Sequence, residues 1–409
     1  MNSVTCPDCD LIVELPALRD GQRAFCPRCR HLLTRRAHRA LERSSAFALA
    51  ALIFLVLANS YPFLSFRANG REQVMTLLQS AQELYRNGSE ELGLFVLAFI
   101  IVVPALIILS LLLVLVPILL RRRALIGQRI WARFIFTLSP WSMVEVFILG
   151  VLASLTKISS MATIVLGSSF WAYIAFTLCF LIAVSSLDRY QFWRTILPHP
   201  APRAQVGHTA ASQGLAHCHI CTLTSPVAKY HCPRCGATLH LRSLNSLQRT
   251  LALLITATVL YLPANLLPIT HTDQFGNVLD STIMDGVLMM WEHGSYPVAL
   301  VIFIASIMVP MAKLVSLSWL CWSVSRRETT LPRQRTSLYR ITEFVGRWSM
   351  VDVFVVAILV ALIQLGGILT IRPGPAALAF SGVVIITILA ADSFDPRLIW
   401  DKLEENNRD

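Results

Sequence analysis

Eight of the ten cysteines fall into four C-x-x-C pairs: Cys6/Cys9, Cys26/Cys29, Cys218/Cys221 and Cys232/Cys235. A C-x-x-C turn aims two thiolates at one point, and two such turns complete a tetrahedral S4 site whose metal–sulfur bonds are about 2.3 Å for Zn2+. Sixteen residues separate the knuckles of the first module and ten those of the second, which suits a short connecting hairpin. In a reducing compartment, two pairs per module favour a closed structural zinc site over iron or thiol redox chemistry. Such a site has no open coordination position and therefore no catalytic role. Modules of about 35 residues bury too little core to fold unaided, so two zinc ions are expected to supply their folding free energy. His217, His219 and His231 flank the second module as surface neighbours rather than ligands. Cys179 and Cys321 stand singly in apolar runs and read as packing residues.

The second chemical signal is ionisable. WSMVEVF, from Trp141 to Phe147, returns as WSMVDVF from Trp348 to Phe354, each opening a long apolar run, and a third such run carries Lys313. A charge in mid-span costs about 2.5–3.5 kcal/mol, so these side chains must pair, face a bundle interior or mark a pathway. At about 1.5 Å rise per residue, Lys313 and Asp352 come level on consecutive helices, which predicts an intramembrane ion pair. Ile107 occupies the position of Lys313 in the other repeat. Glu145 therefore lacks that cation and is expected to be protonated or held near the cytoplasmic interface. Ser306 precedes Lys313 by seven residues, two turns along one face, and Thr387 lies in the last span. Ser316, Ser318 and Thr370 are expected to bond their own backbone. A static Lys313–Asp352 pair would only fix packing; a titratable pair, broken and remade as substrate or a proton arrives, would tilt helices between two states.

Membrane spans must position these groups. The 409 residues are 55% hydrophobic and 14% charged with mean hydropathy +0.61, more apolar surface than a soluble core of this size needs. Eight spans are expected, at 46–66, 92–120, 134–156, 161–187, 250–269, 294–325, 348–371 and 373–391. Self-similarity at an offset of 206, slipping to 207, carries Cys26/Cys29 onto Cys232/Cys235, Asn59 and Pro62 onto Asn265 and Pro268, and Asp188 onto Asp395. The organisation expected is a zinc ribbon at 1–45, a four-helix transmembrane domain at 46–197, a linker at 198–215, a second ribbon at 216–248, a second four-helix domain at 249–395 and a tail at 396–409.

Four spans per half give both halves one orientation. Of 35 Lys and Arg, Lys313 lies within a span and Arg67, Arg71, Arg86, Lys157 and Arg372 fall on one side. All the rest fall on the other, so both ribbons and both termini are expected in the cytoplasm. The net charge of +11 is then the positive-inside signature plus attraction to anionic headgroups, not a nucleic-acid surface. On the opposite side each half follows its first span with a Gly-containing turn, Ala68-Asn69-Gly70 or Phe275-Gly276-Asn277, and then an amphipathic segment. The chain lacks a Walker A loop, a G-x-S-x-G elbow, an H-E-x-x-H pair and a dinucleotide fingerprint, and it is not expected to be an enzyme.

The two four-cysteine modules, YLPANLLPIT from Tyr261 to Thr270, GSYPVALVIFIASIMVPMAK from Gly294 to Lys313, and GRWSMVDVF from Gly346 to Phe354 resemble the paraquat-inducible protein A family over nearly the whole chain. That resemblance implies a polytopic inner-membrane protein in which each half is a cytoplasmic zinc ribbon plus a tetraspanin-like four-helix bundle, all-α in class. It implies a partner, a periplasmic MCE-domain protein whose hexameric rings form a hydrophobic tunnel, and a cargo of membrane phospholipid. Ser306, Lys313, Asp352 and Thr387 match the family's C-terminal intramembrane network, and the eight knuckle cysteines its zinc ligands. The rival reading is a zinc-dependent membrane scaffold or a redox or metal sensor anchoring an envelope complex.

Overall fold

The computed structural model describes residues 3–68, 71–86, 90–122, 127–158, 163–200, 202, 204–274, 277–292, 294, 296–362, 364–365 and 369–405; at some of these, Asp352 among them, the description covers the backbone alone. The first half runs β1 (Ser3–Thr5), β2 (Ile12–Glu14), β3 (Arg23–Phe25), β4 (Leu32–Arg35), α1 (Ala40–Ser60), β5 (Leu64–Ala68), β6 (Arg71–Met75), α2 (Leu77–Arg86), α3 (Glu90–Leu97), α4 (Val103–Leu119), α5 (Gln128–Leu138), α6 (Val144–Ile158), β7 (Thr163–Leu166), α7 (Ser168–Ser185) and α8 (Arg189–Ile196). The second half follows as β8 (Leu215–His217), β9 (Thr224–Pro226), α9 (Ser246–Leu266), β10 (Thr270–Gln274), β11 (Asn277–Ser281), α10 (Ile283–Glu292), α11 (Tyr296–Phe303), α12 (Val309–Ser325), α13 (Pro332–Gly346), α14 (Val351–Leu362), β12 (Gln364–Leu365), β13 (Leu369–Pro373), α15 (Pro375–Ser393) and α16 (Leu398–Glu405).

Among the described residues, seven helices are long and apolar enough to cross a membrane: Ala40–Ser60, Gly93–Leu119, Gln128–Leu155, Ser168–Ser185, Ser246–Leu266, Ala299–Ser325 and Pro375–Asp401. This is a multi-pass membrane protein. The expected span 348–371 departs from the reading as one long helix: α14 stops at Leu362 and the chain returns as β12 and β13. Likewise α1 ends at Ser60 and α7 begins only at Ser168. Proline sets two of these ends, because the residue before it is driven out of the helical region. Tyr61, before Pro62, has φ −120° and ψ 166°, and Leu267, before Pro268, has φ −88° and ψ 159°.

The residues released from the helices form sheets that the all-α expectation did not contain. One is three-stranded, in the order β6-β5-β7, and the other four-stranded, in the order β11-β10-β13-β12. Their ladders satisfy backbone groups that a membrane end would otherwise leave bare. The turns expected at Asn69-Gly70 and Phe275-Gly276 lie outside the described residues, but the strands on either side pair antiparallel, Ala68 with Arg71 and Gln274 with Asn277. The expected amphipathic segments are α2 and α10.

Small residues let helices approach closely where lipid offers no hydrophobic drive. Ala48, Ala51 and Ala58 bury one face of α1, and Ser44 donates to the Ala183 carbonyl of α7 at 2.8 Å. In the other half Ser246 of α9 donates to the Ser393 carbonyl of α15 at 2.7 Å. Gly167 and Gly374 stand at equivalent strand-to-helix corners, where a Cβ would collide with the carbonyls of Pro62 and Pro268.

The sequence repeat has a spatial counterpart. Phe147 of α6 and Phe354 of α14 occupy the same place in the two heptapeptides, and their rings meet edge to face at 5.6 Å and 89°. A residue that touches its own repeat equivalent lies beside the axis relating the two copies, so the α6–α14 crossing is the centre of the molecule. Gly150 permits that crossing: a Cβ there would lie 2.9 Å from the Phe354 Cβ and 3.3 Å from the Val351 carbonyl oxygen. Gly150→Leu is expected to lower stability by about 1–3 kcal/mol through overpacking, read as a lower thermal midpoint in detergent. An unchanged midpoint would show that these helices do not cross there.

Candidate functional site

The cysteine modules are built from tight turns. The residue after each C-x-x-C is left-handed: Asp10 at φ 61°, Arg30 at 59°, Thr222 at 59° and Gly236 at 76°. Its N–H bonds back to the carbonyl of the first cysteine, at 3.0, 2.9, 2.9 and 2.8 Å respectively. This turn curls both thiols of a knuckle toward the same side. Cys6, Cys9, Cys26 and Cys29 accordingly hold their sulfurs within 4.8 Å of one another, as do Cys218, Cys221, Cys232 and Cys235, and all eight are buried. The closest Sγ pairs, such as Cys6–Cys29 and Cys218–Cys235, are 3.4 Å apart, against about 3.8 Å for the edge of a tetrahedron with 2.3 Å bonds. The donor set, burial and spacing fit a metal ion in each module. No histidine belongs to either group, so His217, His219 and His231 are neighbours.

The modules also bind the two halves together. They touch each other through Thr5 and Thr224, whose hydroxyls lie 2.8 Å apart. The first module docks on the second half: Arg340 of α13 donates to Asp8 at 2.6 Å and to the Cys29 carbonyl at 3.2 Å, and Arg28 lies over the Trp400 ring of α16 at 4.7 Å. Burial alone would raise the Asp8 carboxyl, but His31 and Arg340 outweigh it and hold the group below the usual range. The second module reaches the first half, where Arg189 of α8 donates to the His219 carbonyl at 2.9 Å. Arg242 joins Asp10 to Asp401 of α16, at 3.0 and 2.9 Å.

Within the second bundle, α12 buries Lys313 to 2% exposure, and its Nζ donates to Thr387 Oγ1 of α15 at 2.7 Å. Thr387 passes the polarisation on, donating to the Val384 carbonyl at 2.9 Å. Of the residues singled out from the sequence, these two are brought together. The side chain of Asp352 lies outside the described residues; its backbone is at the second position of α14, after a 3-10 turn at Arg347–Met350. Gly346, six positions earlier, is the residue the lysine terminus lies against: a Cβ there would sit 3.3 Å from Nζ and 3.4 Å from Cε. Gly346→Val should therefore displace the ammonium and lower the thermal midpoint in detergent, at a cost of about 1–3 kcal/mol through overpacking; an unchanged midpoint would mean the amine has room to spare.

Ser306 is buried, but it bonds its own helix, donating to the Ile302 carbonyl at 2.7 Å. The expectation that it shares a face with Lys313 assumed an unbroken helix. Instead a π-helical turn at Ile304–Met308 closes with the Val309 N–H on the Ile304 carbonyl. Pro310 has no N–H for the Ser306 carbonyl, and the extra residue accommodated there rotates Ser306 by about 100° relative to Lys313. The first half repeats this turn at Ala98–Val102, ahead of Pro104. Ser306 consequently lines a separate cleft, with Thr270, Ser281 and Ala153, toward the sheet end. Glu145 is half-buried in the first turn of α6. Pro140 precedes it in a 3-10 turn that breaks the third span.

Two features escaped the sequence reading. Ser142 and Ser349, equivalent residues of the WSM segments, are buried with no hydrogen-bond partner for either hydroxyl among the described residues. Lys313 also opens onto a cleft of about 370 Å³ between the halves, walled by Thr342, Glu343 and Asp392 on one side and by Ser139, Trp141 and Arg189 on the other. Periodicity places a residue on a helix face but not on a seam between two bundles.

Comparison with known proteins follows the same division. A family model described as paraquat-inducible protein A matches twice, at residues 41–196 and 247–404. The chain is 42% identical over 411 residues to "Intermembrane transport protein PqiA" of Escherichia coli strain K12, covering 99% of this chain and 97% of that one. It is 30% identical over 404 residues to "Lipophilic envelope-spanning tunnel protein A" of the same strain, covering 98% and 92%. To a "Probable intermembrane transport protein" of Haemophilus influenzae it is 28% identical over 404 residues, covering 97% and 95%. No solved structure matches the chain. Two copies of the family pattern and relatives matched end to end make this chain a member of the paraquat-inducible protein A family.

Proposed function

We propose that this protein is the inner-membrane subunit of an intermembrane lipid-transport system, passing phospholipid between the inner membrane and a periplasmic tunnel of MCE-domain proteins. Both zinc ribbons face the cytoplasm, and the sheet end of the bundles faces the tunnel. The names of its relatives, which speak of intermembrane transport and of an envelope-spanning tunnel, support the process. The observation that carries the mechanism is Lys313, sealed from solvent on Thr387 yet beside a cleft. Ammonium and amine make different demands there: the ammonium needs hydrogen-bond acceptors and a counter-charge, while the neutral amine tolerates apolar surroundings. Gain or loss of one proton would shift α12 against α13 and α15, with Asp352 as the counter-charge, and so open or close the bundle toward lipid. The ribbons, each holding one Zn2+ on four cysteines, fix the two halves relative to each other. The test is mass spectrometry of lipids and proteins that copurify with the full chain, paired with phospholipid transfer between vesicles carrying the chain and its copurified partner. Phospholipid and a periplasmic tunnel protein are the expected companions, and a chain that retains neither and transfers nothing would refute the reading.

A further inference from the structure

The cleft beside Lys313 does not end within the bundle. A second cavity of about 480 Å³ lies between the two cysteine modules, with Asp8, His31, His219 and Arg397 among its walls, and three residues line both cavities: Arg189, Glu343 and Asp392. The two cavities therefore adjoin at these residues, and open space extends from the module end of the molecule, along the seam between the halves, to the lysine. Glu343 of α13 and Asp392 of α15 are exposed to it. Arg189 is held in place by its bond to the His219 carbonyl and by the Phe136 ring, 5.1 Å from its guanidinium.

We infer that this seam is a proton entry path, carrying water-borne protons from the module face past Arg189, Glu343 and Asp392 to the Nζ of Lys313. The ordering of charge selects the cargo. Carboxylates at the junction oppose anions, while the guanidinium beside them and the ammonium at the end oppose metal cations. Water passes, and so does a proton, because an amine that repels other cations can itself accept it: hydronium and the free amine become water and ammonium, and the reverse step returns the proton. The charged and titratable groups facing the lysine along this route are Glu343 from α13, Asp392 from α15 and Arg189 from α8; Asp352 belongs to α14. The path also gives the first half a purpose. It has Ile107 where the second half has Lys313, yet it contributes Ser139, Trp141 and Arg189 to the wall.

The inference rests on reading Lys313 as the residue that couples a proton to lipid movement, and two measurements separate them. Hydroxyl-radical footprinting of the full chain in nanodiscs should oxidise Trp141 and Ile388 on the seam far faster than the sealed core residue Phe147. Protection of both to the level of Phe147 would overturn the path. In proteoliposomes with the pH set independently on each face, transfer should follow the pH on the module face. Glu343→Gln combined with Asp392→Asn should slow it about tenfold and shift its pH profile. Control by the pH on the sheet face alone would also overturn the path. If Lys313→Met transfers lipid at the wild-type rate, the coupling reading fails and the path loses its function with it. A dry seam together with an inactive Lys313→Met overturns the path alone.

Discussion

Lys313→Met combined with Asp352→Leu should bring phospholipid transfer to background while leaving the protein as stable as the wild type or more so. Lys313 has 2% of its surface exposed and one described hydrogen bond, from Nζ to Thr387. Removing an ammonium from such a place recovers its desolvation cost, and methionine fills nearly the same length with apolar atoms. Replacing both members of a buried ion pair by apolar residues of similar volume is neutral or stabilising by about 1–4 kcal/mol, whereas removing one member alone costs about 3–5 kcal/mol, which is why Asp352 is replaced together with Lys313. Thr387 is not orphaned, because its hydroxyl keeps the Val384 carbonyl as acceptor. Opposite signs for stability and activity are what a packing role cannot produce: a lysine that merely holds helices together would lose both. The measurements are thermal unfolding in detergent and lipid transfer in vesicles. Full transfer by Lys313→Met, or a fall in midpoint of the paired variant that matches its fall in rate, would return this residue to a structural role.

The second large effect is expected at the ribbons. Cys26→Ser should halve the metal bound per chain, measured by elemental mass spectrometry on purified protein, and should sharply reduce the amount of folded chain. Structural zinc contributes about 10–16 kcal/mol in peptides of comparable size, far more than hairpins of three or four residues can replace. The damage should spread beyond the module. Asp8 and the Cys29 carbonyl are the acceptors for Arg340 on α13, and Asp188, which caps α8, takes bonds from Thr34 and Arg35 of the same module at 2.8 and 2.9 Å. Loss of the first ribbon therefore loosens elements of both halves. Normal abundance with altered output would instead support a sensor.

Much of this was legible in residue types and spacing. Four C-x-x-C pairs could do little else than form two compact sulfur clusters, since the turn that closes each knuckle is local. Apolar runs of membrane length announced helices, and the repeat announced a duplicated chain, because both properties accumulate along the sequence. What misled was the assumption that a run of apolar residues continues as one helix. Leu369, Thr370 and Ile371 closed the expected span, and β10, nearly a hundred residues earlier, pairs with them as a strand. Ser306 and Lys313 share a helix and a spacing of two turns, yet Pro310 and its π-helical turn set them apart.

Composition and spacing alone determined the two four-cysteine clusters, the membrane character, the duplication and the presence of a lysine in an apolar run, since each depends on which residues occur and how far apart they stand. Only the folded chain decided that Lys313 meets Thr387, that Phe147 meets Phe354 across the axis, and that each ribbon fastens onto the opposite half. Those contacts join residues from 30 to 332 positions apart. They are chosen by how two bundles can pack once Gly150 and the prolines have fixed their shapes, which no local pattern encodes.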